Sequence, residues 1–167
     1  MAFEGLLILD ADALNRISES KLGSNFFLER KFKTWITPHS KEFGRLFPNI
    51  KSKTNVGLAR DAAKEFNISI LLKGANSIVA DNKKVWQLFG TDSQTARAGL
   101  GDLLSGFIAG SSAIDLTFCR NITTDFFAKY VLLHSFAASK CKSGSNASAI
   151  GDELTKLMRN IKTRQIS

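Results

Sequence analysis

Three short segments of the sequence combine residue types that bind phosphates or move protons. The most suggestive is AGLGDLLSG, residues 98–106. Its glycines Gly99 and Gly101 let backbone N–H groups converge, and a helix predicted to begin at Asp102 directs its positive end to the same place, which suits a phosphoryl group. The Asp102 carboxylate can take a proton from an attacking hydroxyl. A capping Asp after a flexible loop is the alternative, because short glycine patterns are common.

The second segment is LKGANS, residues 72–77. Lys73 directly follows a predicted buried strand and therefore places a cation at the carboxyl edge of a sheet, where ligands bind in open α/β folds. Gly74 lets the backbone approach a phosphate. A lysine that merely ends a strand in a turn is the alternative interpretation.

The third segment is TPHSKEF, residues 37–43. Pro38 fixes the turn, so that His39 and Glu42 lie about one helical turn apart and can face a common ligand. No third ligand is placed near them, and the pattern therefore does not predict a metal site. A solvated surface pair is the alternative. His134, on the apolar face of a long predicted helix, is expected to be a core histidine with its hydrogen bonds satisfied.

Hydrophobic patterning predicts the elements that position these segments. Strands are predicted at residues 6–9, 34–37, 68–72, 77–80 and 85–89, the last two as a hairpin around 81–83. Helices are predicted at residues 13–20, 41–47, from the start signal at 52–55 to 66, from 102 onwards, 123–142 and 147–161. Strands that alternate with helices indicate an α/β layer fold with a mostly parallel sheet. Asp10 and Asp12 follow the first strand, and Asp12 is predicted to cap the first helix.

The amino-acid composition indicates an ordinary globular protein. The chain has 167 residues, 44% of them hydrophobic, which suits one globular domain over residues 1–167. The net charge is +8, but the basic residues are spread along the chain without a nucleic-acid-binding motif, so no nucleic-acid partner is expected. No signal peptide or membrane-length apolar run is visible, and a cytoplasmic protein is expected. Cys119 and Cys141 lack metal-ligand spacing and are predicted to be buried thiols.

The order of the segments carries a family resemblance. LDADALN (residues 9–15), TPHSKEFGRL (37–46), LKGANS (72–77) and GLGDLLSGFIAG (99–110) occur in the order and form that resemble the NAD(P)H-hydrate dehydratase family. The resemblance extends from Leu6 to about Ala138. It implies a ribokinase-like, three-layer α/β/α fold that here lacks the N-terminal strands of the family domain.

The resemblance also implies an activity, the repair of hydrated NADH or NADPH with consumption of ADP or ATP, with Mg²⁺ at the phosphates. In family terms Asp102 is the catalytic base and also contacts the substrate. The implied nucleotide-binding residues are Lys73, Gly74, Ala75, Asn76, Ser77, Gly99 and Gly101. The implied substrate-binding residues are His39, Glu42, Asp10 and Asn15. The family's tendency to assemble makes a homo-oligomer the expectation.

Two other functions stay open. A ribokinase-like kinase of a small alcohol would use the same anion site and the same Asp102. A non-catalytic nucleotide-binding module is the other, because the sequence departs from the family pattern at Arg97, Leu100 and Lys41. Leu100 stands where the family has a hydroxyl residue, and Lys41 stands where glycine is usual.

Overall fold

The computed structural model describes residues 3–89, 99–119, 121–142 and 145–164. The chain divides into two compact units, residues 1–90 (unit 1) and residues 91–167 (unit 2). Unit 1 contains β1 (Leu7–Leu9), α1 (Ala11–Glu19), α2 (Asn25–Glu29), β2 (Thr34–Ile36), α3 (Ser40–Leu46), α4 (Asn55–Phe66), β3 (Ser69–Leu72), β4 (Ser77–Ala80) and β5 (Val85–Leu88). Unit 2 contains α5 (Leu100–Phe118), α6 (Thr124–Lys140) and α7 (Ala147–Arg164).

The sheet of unit 1 has five strands in the order β1-β2-β3-β4-β5. β1, β2 and β3 are parallel, with Ile8 opposite Trp35 and Ile36 opposite Ile70. β3, β4 and β5 are antiparallel. The α/β class and the hairpin are therefore confirmed, and the sheet is mixed because the hairpin adds antiparallel pairs to the parallel ones.

The parallel strands pack against the helices of unit 1 through one core cluster. β2 and β3 are buried throughout, which is why they read as continuous apolar runs in the sequence. α4 packs on the sheet with its small residues, and four phenylalanine rings fill the space beyond it. The core residues that do this are Ala59, Ala62, Ala63, Phe27, Phe43, Phe47 and Phe66. This packing fixes the strand ends that carry the candidate site.

The described part of unit 2 contains three helices with a small core between them. α6 corresponds to the predicted helix at residues 123–142, and its buried residues include Phe127 and Val131. Cys119 and Cys141 are free thiols, as predicted, but they are only half-buried. Each lies at the C-terminal cap of a helix, α5 or α6, where the chain leaves the core, so the prediction of full burial was wrong.

His134 is buried within unit 2, with 7% of its surface exposed. Its Nε2 atom has no hydrogen-bond partner among the described residues. The prediction of a core position is confirmed, whereas the prediction of satisfied hydrogen bonding was wrong. Burial disfavours the charged form and lowers the pKa of His134 from 6.5 to about 4.

Within the described ranges, every helix is too short or too polar to cross a membrane.

Candidate active site

Three strand ends meet at one edge of the unit 1 sheet. Because β1, β2 and β3 are parallel, the residues that follow them lie side by side. The Thr37 amide donates to the carbonyl of Leu9 at 3.1 Å, and the Lys73 amide donates to the carbonyl of Pro38 at 2.9 Å. His39 and Lys73 form an isolated parallel bridge. The structure thus brings together the residues that follow the three strands, Asp10 after β1, His39 after β2 and Lys73 after β3.

Lys73 and Asp10 form an ion pair across this edge. Lys73 Nζ lies 2.7 Å from Asp10 Oδ1, and the two side chains are 25% and 11% exposed. β2 lies between β1 and β3, the strands that Asp10 and Lys73 follow, and the axes of β1 and β3 are about 9.5 Å apart. The lysine side chain therefore extends over the end of β2. The sequence predicted a binding role for each of these residues but not this contact.

The first helix begins differently from the prediction. Asp10, and not Asp12, is the N-cap residue of α1, and its side chain makes no capping hydrogen bond. Asp12 is exposed in the first turn. Ala11 has a φ of 44°, in the left-handed region that alanine rarely adopts. The Asp10 carboxylate contacts Lys73 instead of the helix end, which explains why the local capping rule failed here.

His39 and Glu42 contact each other in a capping box at the start of α3. His39 Nδ1 accepts from the backbone N–H groups of Lys41 at 3.1 Å and Glu42 at 3.3 Å. In return, Glu42 Oε2 accepts from the His39 N–H at 2.8 Å. Because Nδ1 is an acceptor, the neutral ring carries its proton on Nε2, as assigned from these hydrogen bonds.

The capping box separates the roles of these two residues. Glu42 is 5% exposed, and its carboxylate is engaged by His39, with Oε1 at 3.4 Å from Nε2. The His39 side chain is 47% exposed and can still be reached from solvent. Glu42 therefore positions the histidine, and His39 is the member of the pair that a ligand can contact.

Asn15 is held by a residue that the sequence analysis did not single out. Its Oδ1 accepts a hydrogen bond from an Arg45 guanidinium nitrogen at 2.6 Å, which joins α1 to α3. Arg45 belongs to the segment TPHSKEFGRL that carries the family resemblance, so membership of that segment was the available signal. The contact itself depends on how two helices pack and is not visible in the sequence.

The segment after β3 is an open loop. Gly74, Ala75 and Asn76 are exposed, and the Ser77 hydroxyl donates to the carbonyl of Gly74 at 3.3 Å. A Cβ built on Gly74 would meet no atom within 4 Å, so the backbone of this turn is accessible. Accessible backbone N–H groups beside a strand end can bind phosphate oxygens.

In unit 2, the glycine segment leads into α5. The helix begins at Leu100, two residues before the predicted start, and Asp102 is exposed in its first turn. Gly99 is the N-cap residue with a φ of 81°, a conformation that favours glycine. The N-terminus of an α-helix carries partial positive charge, so the predicted phosphoryl site at this helix start stays a prediction. Residues 96–98 of the predicted loop, including Arg97, lie outside the described residues.

Within the described ranges, no group of three or more His, Cys, Asp or Glu side chains is placed to hold a metal ion.

Comparisons with known proteins identify the family of the chain. A family model for NAD(P)H-hydrate dehydratase matches residues 2–162. A bifunctional NAD(P)H-hydrate repair enzyme from Gloeobacter violaceus is 41% identical over 105 residues, which are 62% of this chain and 20% of that enzyme. The chain thus spans a small part of this curated relative.

Two solved structures share the fold. A ribokinase-like superfamily protein from Enterococcus faecalis matches 93% of this chain and 52% of its own, with a TM-score of 0.76 and 23% identity. An ADP/ATP-dependent NAD(P)H-hydrate dehydratase from Bacillus subtilis, co-crystallised with ATP and Mg²⁺, matches 93% of this chain and 55% of its own, with a TM-score of 0.69 and 22% identity. The chain therefore has a ribokinase-like fold, and since the family model covers nearly all of it, the protein belongs to the NAD(P)H-hydrate dehydratase family.

Proposed function

We propose that this protein takes part in the ADP- or ATP-dependent dehydration of hydrated NADH or NADPH. The observation that carries the proposal is the meeting of Asp10, His39 and Lys73 at one sheet edge, on three of the segments that resemble the family. Anionic ligands suit such an edge because it carries a lysine beside an exposed, glycine-containing turn.

The proposed reaction has two steps. The hydroxyl oxygen of the hydrate attacks the terminal phosphorus of ADP or ATP, and the bond from that phosphorus to the bridging oxygen breaks, so that AMP or ADP leaves. Asp102 takes the hydroxyl proton in this step. The phosphate ester is a better leaving group than hydroxide. Loss of phosphate, together with a proton from the neighbouring carbon, restores the double bond of the dihydropyridine ring.

The residue roles follow from exposure and chemistry. In this proposal the exposed His39 side chain contacts the hydrated nicotinamide nucleotide, and Lys73 with residues 74–77 binds the phosphates of ADP or ATP. In unit 2, Gly99 and Gly101 have the nucleotide-binding role that the family resemblance implies. Mg²⁺, which the Bacillus subtilis relative was crystallised with, would be held by phosphate oxygens and water, because the described residues contain no acidic cluster. There it would screen the phosphate charge.

The test is recovery of NADH from its hydrate, followed by the near-ultraviolet absorbance of the reduced ring, with ADP and with ATP. Catalytic recovery that needs one of these nucleotides supports the proposal. Stoichiometric phosphorylation of a small alcohol without NADH recovery would show a kinase instead. Nucleotide binding without any turnover would show a non-catalytic module, an alternative that Leu100 favours.

We also propose that the two units form one domain, since the family model spans both. A single cooperative unfolding transition, seen by both far-ultraviolet circular dichroism and calorimetry, supports this. Two separate transitions would contradict it.

Self-association is a further part of the proposal. β1 pairs only with β2 among the described residues, and an open strand edge favours pairing with another chain. We propose a homo-oligomer. Light scattering at micromolar concentration tests this, and a monomer would contradict it.

A further inference from the structure

We propose that Lys41 and Arg45, on the exposed face of α3, bind the 2′-phosphate of NADPH hydrate, so that this protein prefers NADPH hydrate to NADH hydrate. The inference rests on the proposed function and names the form of the substrate that the site selects. The two hydrates differ only in this phosphate, and a site for it therefore sets the preference between them.

The placement of the two cations is the first observation. Lys41 and Arg45 are four residues apart on α3, and both are exposed. Residues at this spacing lie on the same face of a helix, with their Cβ atoms about 5–6 Å apart. Like charges placed in this way weakly destabilise a helix. An anion bound between them removes that repulsion.

The lack of an acidic partner is the second observation. Glu42 is the acid of α3, and it is buried and accepts from the His39 N–H. Within the described ranges, neither Lys41 nor Arg45 forms an ion pair with a carboxylate. Arg45 donates to Asn15 Oδ1 at 2.6 Å, which uses one N–H of a guanidinium that has five. This neutral contact orients the guanidinium and leaves its charge for an anion.

The surface beside the cations is the third observation. Ser40 and Gly44 are the other exposed residues of α3. A Cβ built on Gly44 would meet no atom within 4 Å, so the space next to the cations is open. The Ser40 hydroxyl can donate a further hydrogen bond to a phosphate oxygen. A lysine, an arginine and a hydroxyl on one face suit a phosphate that carries two negative charges.

The position of this face relative to His39 connects it to the hydrated substrate. The Lys41 N–H donates to His39 Nδ1 at 3.1 Å, so the cations begin directly beside the residue that contacts the hydrate in the proposed function. Arg45 lies six residues beyond His39, about 9 Å further along the helix axis. A ligand that touches both His39 and Arg45 is therefore long, as a dinucleotide is.

The departure from the family pattern at Lys41 selects the phosphate. Lys41 stands where glycine is usual, and glycine has no charge to offer. The groups that both hydrates share, including the pyrophosphate, therefore need no cation at this position. The anionic group that distinguishes NADPH hydrate is the 2′-phosphate, and we assign Lys41 to it.

The experiment measures equilibrium dissociation constants of NADPH hydrate, NADH hydrate and ADP, each alone, by calorimetry on the intact chain. We expect the unaltered chain to bind NADPH hydrate about tenfold more tightly than NADH hydrate, the effect of one charge-assisted contact. Lys41→Gln removes the charge and should abolish most of this difference. It should change the constants for NADH hydrate and ADP less than about twofold.

Three further variants sharpen the test. Lys41→Arg keeps the charge and should keep the preference, whereas Arg45→Gln should weaken NADPH hydrate more than NADH hydrate. Lys64→Gln is the matched control, since it removes an exposed lysine from the last turn of α4 and should change none of the constants. Circular dichroism verifies that each variant is folded at the temperature of measurement.

The outcomes distinguish this inference from the proposed function. If the unaltered chain binds both hydrates equally, or if Lys41→Gln keeps the preference, the inference is wrong and the proposed function stands. If Lys41→Gln weakens ADP as much as NADPH hydrate, Lys41 serves the phosphates of the nucleotide and the inference is also wrong. If the unaltered chain binds neither hydrate, the proposed function is wrong, and the inference that rests on it is wrong as well.

Discussion

The two units of the molecule treat their polar side chains differently. In unit 1, the polar groups of the candidate site are held by partners in the same unit, Lys73 by Asp10 and Glu42 by His39. In unit 2, Asp102 is exposed at a helix start, and the buried His134 has an Nε2 atom without a partner among the described residues. The candidate binding residues are thus pre-organised, while the candidate base is open to solvent.

This difference indicates how the two units should respond to substitution. In unit 1, a change at the site removes a structural contact and a ligand contact together, so affinity and stability should fall together. In unit 2, the proposed catalytic base, Asp102, and the residue expected to affect stability, His134, are different residues. Asp102 can then be changed without affecting the fold, and stability should depend on His134.

The largest effect is expected at Asp102. Asp102→Asn should lower NADH recovery by about 100-fold or more, because general-base catalysis contributes at least that much, and should leave ADP affinity and stability nearly unchanged. NADH recovery and calorimetry check this. Asp125→Asn is the matched control, since Asp125 is another exposed acid in the first turn of a unit 2 helix. Unaltered turnover in Asp102→Asn would show that Asp102 is not the catalytic base.

The pH dependence of stability tests the role of the buried His134 in unit 2. His134 has a pKa of about 4 when folded and 6.5 as its ordinary value, so the unfolded chain binds its proton first as the pH falls. Stability from this residue is constant above the ordinary value and is lost on acidification between the two values, by roughly 2 kcal/mol at about pH 5. Denaturant unfolding across this pH range measures the loss.

His134→Leu supplies the comparison for that measurement. The variant has no imidazole to protonate, so its stability should vary less between neutral and mildly acidic pH than that of the unaltered chain. If stability changes equally with pH in the two proteins, His134 is hydrogen-bonded or hydrated in solution. The two units would then not differ in how their polar side chains are held.

At the capping box, stability and binding can be separated. His39→Ala removes the acceptor that caps α3 and should destabilise unit 1 by about 1 kcal/mol, besides weakening the hydrate. His39→Asn should restore most of the stability, because asparagine caps well, but not the hydrate affinity, since the exposed imidazole ring is lost. Denaturant unfolding and hydrate binding are measured on both. Full hydrate binding by His39→Asn would show that the imidazole has only a structural role.

The sequence predicted the elements well because their signals are local. Residues 68–72 form a continuous apolar run, which indicates a buried strand whatever its neighbours are, and β3 occupies Ser69–Leu72. The hairpin at residues 77–89 was predicted for the same reason, from two short apolar runs around Asp81, Asn82 and Lys83. The order of the four segments was enough to identify the family.

Contacts that depend on packing were not predictable in this way. The pair of Asp10 with Lys73 joins residues 63 positions apart, and it forms only because β1 and β3 flank β2. The choice of Asp12 as the cap of α1 was wrong for the same reason, since a distant lysine decides the direction of the Asp10 carboxylate. For His134, an apolar helical face predicts burial but not whether a partner faces the ring.

The smallest effect is expected at Ala11, and it tests whether the turn before α1 is strained. Ala11→Gly should stabilise the protein by about 0.5 kcal/mol, because a left-handed alanine costs roughly 1–2 kcal/mol and the added glycine freedom in the unfolded chain takes back part of that gain. Ala13→Gly, two residues later in the same helix, has no such strain to relieve and should destabilise by about 0.5–1 kcal/mol. Denaturant unfolding compares the two. If both variants are destabilised equally, the backbone at Ala11 is not strained. The contact of Asp10 with Lys73 then forms without a cost in backbone conformation.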